Sequence, residues 1–251
     1  MLPLERRMFI LEKIHTEGKV TIDELSKELA VSGMTVRRDL DQLEDEGKVI
    51  RTHGGAMITQ TLIPEISYSN KASKRTVQKR QIAKLARQFV PEGAKVLLDS
   101  GTTTLEVARE LASREDLTIV TNDVKIAIEL LDSPSHVILT GGDMQSGVGA
   151  LIGPHAQHLL GQIRVDLLFL GAPAIHLSSG ITAPAMDKAL IKKMMIDVAA
   201  ETWVVADSSK FGNRSFAHVC MFSSIKGIIT DSECSEEIRH AYEQLVEMRY
   251  A

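Results

Sequence analysis

The chain has 251 residues, 44% hydrophobic and 25% charged, a balance that excludes disorder, a collagen-like repeat and a disulfide scaffold. The length suits one large domain or two unequal ones, and no stretch approaches the roughly 20 apolar residues of a membrane span. The net charge of −4 is unevenly spread, at −2 over residues 1–58, +6 over 59–90 and −8 over 91–251, so any phosphate-binding surface must be local.

The N-terminal run MLPLERRMFILEK is broken by charges and lacks the apolar stretch of a signal peptide. Residues 4–17 carry Met8, Leu11 and Ile14 at helical spacing, with Ile10 adding a pair, and Gly18 as a stop. A second helix starts at Thr21-Ile-Asp-Glu24, whose ends are spaced to cap each other, and runs to about Ala30 with Leu25 and Leu29 on one face. A third is capped by Ser32 and runs to Glu46 with Val36, Leu40 and Leu43 inward, ending at Gly47. Val49-Ile50-Arg51 and Ala56-Met57-Ile58 flank His53-Gly54-Gly55 and predict two short strands around a turn. Residues 1–58 therefore predict a helix-turn-helix with a wing.

Residues 59–74 lack periodicity, contain Pro64 and predict a linker. A basic helix follows over about 75–89. From Pro91 onward short apolar runs alternate with helical stretches: Lys95–Asp99, 103–112, Leu117–Thr121, 123–132, His136–Thr140, Val165–Gly171, 185–200, Trp203–Asp207, Ile225–Asp231 and 235–248. That alternation predicts a mainly parallel sheet covered by helices, an α/β domain over 75–251.

On the third helix Met34, Arg37 and Arg38 face outward beside Asp41. Arginine suits such a place because its fork bonds bidentately to guanine or straddles phosphate oxygens. Ser32 and Thr35 lie in the first turn, where backbone N–H groups meet a phosphate, and Lys48, Arg51 and His53 on the wing add backbone contacts. The plainer reading, a solvated Arg pair beside Asp39 and Asp41, fits a bare Arg-Arg less well once the helix-turn-helix and glycine hairpin surround it. The segment VSGMTVRRDLDQLEDEGKVIRTHGGA resembles the signature of the DeoR family of bacterial transcription regulators, through Val31-Ser32, Thr35, Arg37-Arg38-Asp39-Leu40, Leu43, Gly47 and Arg51…His53-Gly54-Gly55-Ala56. The resemblance covers most of the chain. It implies a cytoplasmic homodimer or homotetramer on double-stranded operator DNA, often a repressor of a sugar-utilisation operon.

Asp99-Ser100-Gly101-Thr102-Thr103-Thr104 carries a buried strand into a helix. Ligands in parallel sheets sit at such strand ends, and the turn's N–H groups with the Thr hydroxyls can hold an anion. Thr121-Asn122-Asp123 and Thr140-Gly141-Gly142-Asp143 end two further strands with groups suited to sugar hydroxyls. Lys192 and Lys193 lie on the helix after Pro184, and Lys210 follows Asp207-Ser-Ser at another strand end. The glycine-rich SGVGALIGP stretch reads either as a segment that closes over the site or as a plain loop. These stretches look like the DeoR-family effector domain, itself similar in fold to ribose-5-phosphate isomerase, a Rossmann-like α/β architecture. The resemblance implies a phosphorylated sugar or polyol whose phosphate sits on residues 101–103 with Lys192 or Lys210 nearby. Most members carry acidic residues just before that lysine. Here the run from Pro184 to Lys192 holds only Asp187, five residues earlier.

The basic stretch Lys71–Arg87 admits two readings, an arm that tracks DNA or a connecting helix whose charges pair with the acidic domain; the second is favoured. The alternative to a regulator is a sugar-phosphate isomerase-like enzyme with an appended DNA-binding module. It needs a base near the reacting carbon, and the strand Val165–Leu170 leads into Gly171-Ala-Pro-Ala-Ile-His176, without a carboxylate. His176 or Asp207 would have to serve. A constitutive DNA-binding scaffold with a vestigial pocket is a third reading. His155-x-x-His158 has no partners for a metal, and Cys220 and Cys234 show no metal or redox spacing and are expected as free thiols. No cofactor, no metal and no membrane partner are expected.

Overall fold

The computed structural model describes residues 2–45, 48–58 and 62–251. Two units separate, Met1–Thr61 and Leu62–Ala251. In the first, α1 (Pro3–Glu17) ends where Gly18 turns left-handed and its N–H reaches Ile14 O at 2.8 Å. β1 (Lys19–Thr21), α2 (Ile22–Glu28), α3 (Gly33–Asp45), β2 (Val49–Thr52) and β3 (Gly55–Ile58) follow. The expected end of α3 at Glu46-Gly47 lies outside the described residues. The Thr21–Glu24 cap forms in both directions: Glu24 N–H donates to Thr21 Oγ1 at 3.2 Å, and Thr21 N–H donates to Glu24 Oε2 at 3.1 Å. Ser32 Oγ accepts from Thr35 N at 3.2 Å and so starts α3.

The core of this unit is built from Ile10, Ile14, Val20, Leu25, Val36, Leu40, Leu43, Val49 and Ala56. Met8, expected inward, is 63% exposed; Ile10 and Ile14, four residues apart, are the inward pair instead. The three-stranded sheet runs β1-β3-β2, with β1 antiparallel to β3. β1 was not expected, because three residues with one apolar side chain show no period. Gly55 makes the pairing possible: a Cβ there would stand 2.0 Å from Val20 O.

In the second unit α4 (Tyr68–Ala72) and α5 (Thr76–Arg87) precede β4 (Lys95–Leu98), α6 (Thr102–Leu111), β5 (Thr118–Thr121), α7 (Val124–Glu129) and β6 (His136–Leu139). A small hairpin, β7 (Asp143–Met144) and β8 (Leu151–Ile152), leads to α8 (Pro154–Gln162) and β9 (Val165–Gly171). Then come β10 (Ala174–His176), β11 (Gly180–Ala183), α9 (Met186–Val198), β12 (Ala199–Val205), β13 (Ala217–Cys220), β14 (Gly227–Thr230), α10 (Glu236–Glu243) and β15 (Glu247–Tyr250).

The main sheet is parallel throughout, in the order β15-β14-β12-β9-β4-β5-β6. Alternation along the strands feeds two cores. Val96, Leu98, Phe169, Trp203 and Val205 face α5, α6 and α7. Leu97, Leu168, Leu170, Val204 and Ile228 face α8, α9 and the antiparallel sheet β10-β11-β13. The chain leaves β4 toward β5 on one side, while β9 lies on its other side. That divergence opens a crevice at the carboxyl ends of β4 and β9.

Two expectations need correction. The helix expected over 235–248 stops at Glu243, and Glu247–Tyr250 instead adds a parallel strand to the free edge of β14. Pairing with that edge outweighs local helix preference. Of the stretch expected to link the domains, residues 59–61 lie outside the described residues, and 62–74 belong to the second unit. Ile63 N–H donates to Arg214 O at 2.8 Å, Ser215 Oγ donates to Ile63 O at 2.7 Å, and Tyr68 N–H donates to Gly147 O at 3.1 Å. The glycine-rich stretch before α8 is packed: Val148 and Ala150 are buried, and Leu151 N–H donates to Asn122 O at 2.7 Å.

Candidate functional site

The outward face of α3 is cationic around Arg37 and Arg38 because Asp39 and Asp41 are engaged by other arginines. Buried Asp39 takes the guanidinium of Arg6 from α1, with Arg6 Nη2 3.1 Å from Oδ1 and a second bond from Nε to Oδ2. Asp41 pairs with Arg51 at 3.1 Å. Arg37 and Arg38 are exposed with no carboxylate partner among the described residues, and Met34 beside them is 59% exposed. Ser32 is exposed and Thr35 half-buried at the start of the helix; Lys48 and His53 are exposed on the wing. Arg51, expected to add DNA-backbone contacts from the wing, is engaged within the unit. Its Nη1 donates to Gly55 O at 2.7 Å, its Nε bonds Asp41, and its own N–H donates to Glu44 Oε1 at 3.1 Å.

In the second unit a cavity of about 580 Å³ opens at the carboxyl ends of β4, β9 and β12. Gly101 leads into α6, so the N–H groups of Thr102, Thr103 and Thr104 have no acceptor within the helix. Thr104 Oγ1 donates to Gly101 O at 3.0 Å, and Ser100 Oγ donates to Asp123 Oδ2 at 2.8 Å. The Thr102 and Thr103 hydroxyls have no such engagement among the described residues. Asn122 donates through Nδ2 to Leu151 O at 3.1 Å, but its buried Oδ1 has no hydrogen-bond partner among the described residues. Buried Asp99 accepts from Gly171 N at 2.9 Å and from Lys192 Nζ, which also donates to Gly171 O at 2.8 Å. Asp207 caps the short turn Ser208–Lys210 through Ser209 N at 3.1 Å, with Lys210 Nζ 3.9 Å away.

Asp99, Ser100, Gly101, Thr102, Thr103, Asn122, Lys192, Asp207 and Lys210 thus share one cavity. Thr121, Gly141 and Gly142 do not line it. Thr121 Oγ1 donates to Leu98 O at 2.8 Å and accepts from Asp123 N at 3.1 Å, which stitches β5 to β4. Gly142 sits left-handed against β8, where a Cβ would stand 2.4 Å from Ile152 O. Gly142 therefore serves the hairpin, while Gly141 turns left-handed in open space. His176 is also outside the cavity lining; its Nδ1 accepts from Ser178 N at 3.1 Å, and burial followed by the charge of Arg214 lowers its pKa.

Reasoning from strand ends missed the opposite wall, formed by residues 63–66, 70, 71, 74 and 75 together with Lys79 and Lys188. Lys79 is buried, donating through Nζ to Lys74 O at 2.7 Å and to Lys71 O, and burial lowers its pKa. Arg75 Nη1 lies 3.0 Å from both Ser208 Oγ and Glu233 Oε2. Two arginines of α5 likewise pair with acids of this unit, Arg80 with Glu106 at 3.7 Å and Arg87 with Glu110 at 3.9 Å. The +6 balance of residues 59–90 was the available signal for a cationic wall. Cys220 and Cys234 are free and buried, and burial pushes their thiols up to about 12 and about 11.

Among the described residues no helix is long and apolar enough to cross a membrane. The family model for the DeoR-like helix-turn-helix domain matches residues 6–61, and that for the DeoR C terminal sensor domain matches residues 74–232. The HTH-type transcriptional regulator GlpR of Haloferax volcanii is 39% identical over 97% of this chain and 95% of its own length. The putative aga operon transcriptional repressor of Escherichia coli O157:H7 is 35% identical over 90% of this chain and 86% of its own. The glycerol-3-phosphate regulon repressor of Escherichia coli K12 is 29% identical over 92% of both chains. Among solved structures, ribose 5-phosphate isomerase A from Methanocaldococcus jannaschii aligns at 19% identity and a TM-score of 0.40 over 53% of each chain. The translation initiation factor eIF-2B of Pyrococcus horikoshii OT3 aligns at 15% identity and a TM-score of 0.43 over 90% of this chain and 86% of its own. Likeness of that degree carries no argument about chemistry. The chain belongs to the DeoR family: it is a helix-turn-helix transcription regulator with a sensor domain, and not an enzyme.

Proposed function

We propose that the chain represses a sugar or polyol utilisation operon, and that a phosphorylated sugar or polyol in the 580 Å³ cavity sets its operator affinity. The observation that carries this reading is Asn122 Oδ1. A buried acceptor without a partner among the described residues is costly, and Asn122 lines the same cavity as the α6 N–H groups that lack an acceptor within the helix and a set of lysines. A phosphate suits Thr102 and Thr103, where the helix start offers donors and a favourable dipole. Sugar hydroxyls suit Asn122, the Asp99–Lys192 pair and Asp207. Lys210, and Lys192 beyond its bond to Asp99, add positive charge.

On the DNA side, Met34, Arg37 and Arg38 face base edges, with Ser32, Thr35, Lys48 and His53 on phosphates. Winged helix modules read paired half-sites, so the working species is a cytoplasmic homodimer or homotetramer. The ligand shifts the protein between arrangements that differ in operator affinity.

Thermal stability against phosphorylated sugars and polyols, with the unphosphorylated parents beside them, tests the sensor. A ligand at 100 times its Kd should add about 2.7 kcal/mol. Stabilisation by a phosphorylated compound, lost in Thr102→Val and in Asn122→Ala, is the expected result. Equal stabilisation by the unphosphorylated parent would remove phosphate from the account.

A further inference from the structure

Residues 59–90 hold seven basic residues and a single acid, Glu65. That acid lies in the cavity wall. Its carboxylate is 2.7 Å from Lys188 Nζ and 3.1 Å from Lys71 Nζ, and both lysines line the same cavity. Burial alone would push the Glu65 carboxyl up, but Lys188 and then Lys71 outweigh it and hold it below the ordinary range. Lys188 stands near the start of α9 with its side chain only 12% exposed. Two ammonium groups converging on one carboxylate inside a ligand-sized cavity make an anion subsite, and the chain itself supplies the anion.

We propose that Glu65 is an intramolecular competitor for this two-lysine subsite, and that an acidic group of the effector displaces it and frees the strap Leu62–Lys74. The inference rests on the sensor reading above and adds how the ligand acts. At Glu65 the strap is fastened by a contact that another anion can exchange. Its first part hangs on Ile63 with Arg214 and Ser215, its middle on Glu65, and its far end on the carbonyls of Lys71 and Lys74 held by Lys79. Next to that end Arg75 adopts a left-handed backbone, φ 53° and ψ 41°, uncommon for a residue with a side chain. Apolar anchoring is confined to its far half, where Tyr68 packs against the core beside α5 and α6 with its ring 4.1 Å from Lys125 Nζ; in the first half Leu62 is 49% exposed and Ile66 36%. Withdrawing Glu65 alone would leave a buried ammonium without its partner, which is strongly unfavourable. Withdrawal as another anion arrives keeps the charge paired, so ligand entry and strap release are one exchange. The strap follows directly in the chain from the DNA-binding unit, which places the exchange on the covalent path between sensor and reader.

The test measures phosphate affinity and hydrogen exchange on the full chain, for wild type, Glu65→Gln and Glu65→Ala. Inorganic phosphate is the probe. Displacement requires both variants to bind phosphate about tenfold tighter than wild type. It also requires the Ile63 and Tyr68 amides to exchange faster in phosphate-saturated wild type and, without phosphate, in both variants. Equal or weaker phosphate binding by the variants would overturn the proposal, because Glu65 would then be orienting the lysines or accepting from a ligand hydroxyl. No phosphate binding by any of the three proteins would overturn it as well. A sugar phosphate that stabilises wild type while strap exchange stays unchanged would reject this inference and leave the sensor reading intact.

Discussion

Each unit buries a carboxylate against a cation, and the surroundings give the two pairs different work. In the DNA-binding unit, Arg6 reaches from α1 to Asp39 on the inner side of α3, where Val36, Leu40 and Leu43 close the core. The pair removes the nearest acid from the outward face, which leaves Arg37 and Arg38 unopposed. In the sensor unit, Lys192 and Asp99 lie in the wall of a cavity and share Gly171 as a partner, so a ligand can reach them. A buried ion pair is therefore poor evidence of purpose until its neighbours are known.

Removing one partner from each pair separates the two roles. Arg6→Ala strands Asp39 and should cost roughly 3 kcal/mol in the first unit alone. The chain has one tryptophan, Trp203, in the core of the second unit, so its fluorescence follows that unit. Arg6→Ala should lower the denaturation midpoint seen by circular dichroism and leave the Trp203 transition in place. Lys192→Met should move the Trp203 transition by a similar amount and weaken ligand binding. A shared shift of both signals in Arg6→Ala would mean that the units do not respond separately.

A smaller effect distinguishes two arginines of the DNA-binding unit. Arg37→Ala should weaken specific binding by about 1–3 kcal/mol and relax the sequence preference. Arg51→Ala should weaken all sequences alike, because Arg51 holds the wing to α3 through Asp41 and Gly55. Binding curves on a selected duplex and its single-base variants read the difference. A loss of preference in Arg51→Ala would place that residue in the base-reading set.

The smallest effect concerns acid. Glu65 has a folded pKa below its unfolded value, so its contribution is present above the unfolded value of about 4.3 and is lost as pH falls through the folded one. Exchange at Ile63 and Tyr68, corrected for intrinsic rates, should therefore accelerate below about pH 4 in wild type and show no such step in Glu65→Gln. A step of equal size in both would assign it to other carboxylates.

The parts legible in the sequence are those that local physics decides. The Thr21–Glu24 cap, the Val36/Leu40/Leu43 stripe and the alternation of Val96, Leu97 and Leu98 each follow from spacing within one element. β1 and β15 were not legible, because each exists by pairing with an edge supplied from elsewhere in the chain. The cavity showed the same division. Strand ends announced Asp99–Thr103, Asn122, Asp207 and Lys210, since sheet topology says where such ends converge, and the family resemblance pointed to Lys192 on α9. Glu65, Lys79 and Lys188 lie on an aperiodic strap and on helix faces, where only tertiary contact reveals a wall. Thr121, Gly141 and Gly142 stand at polar strand ends outside the cavity lining; the Thr121 hydrogen bond and the close packing of Gly142 serve the backbone.

The most direct test of the central claim is operator affinity of the full chain, measured by fluorescence anisotropy on a duplex selected from a random library and titrated with phosphorylated sugars and polyols. The account predicts that a phosphorylated compound lowers the affinity at least about tenfold, that its unphosphorylated parent does not, and that Thr102→Val abolishes the effect while leaving DNA binding intact. Operator affinity that stays constant while such a compound demonstrably occupies the cavity would contradict it.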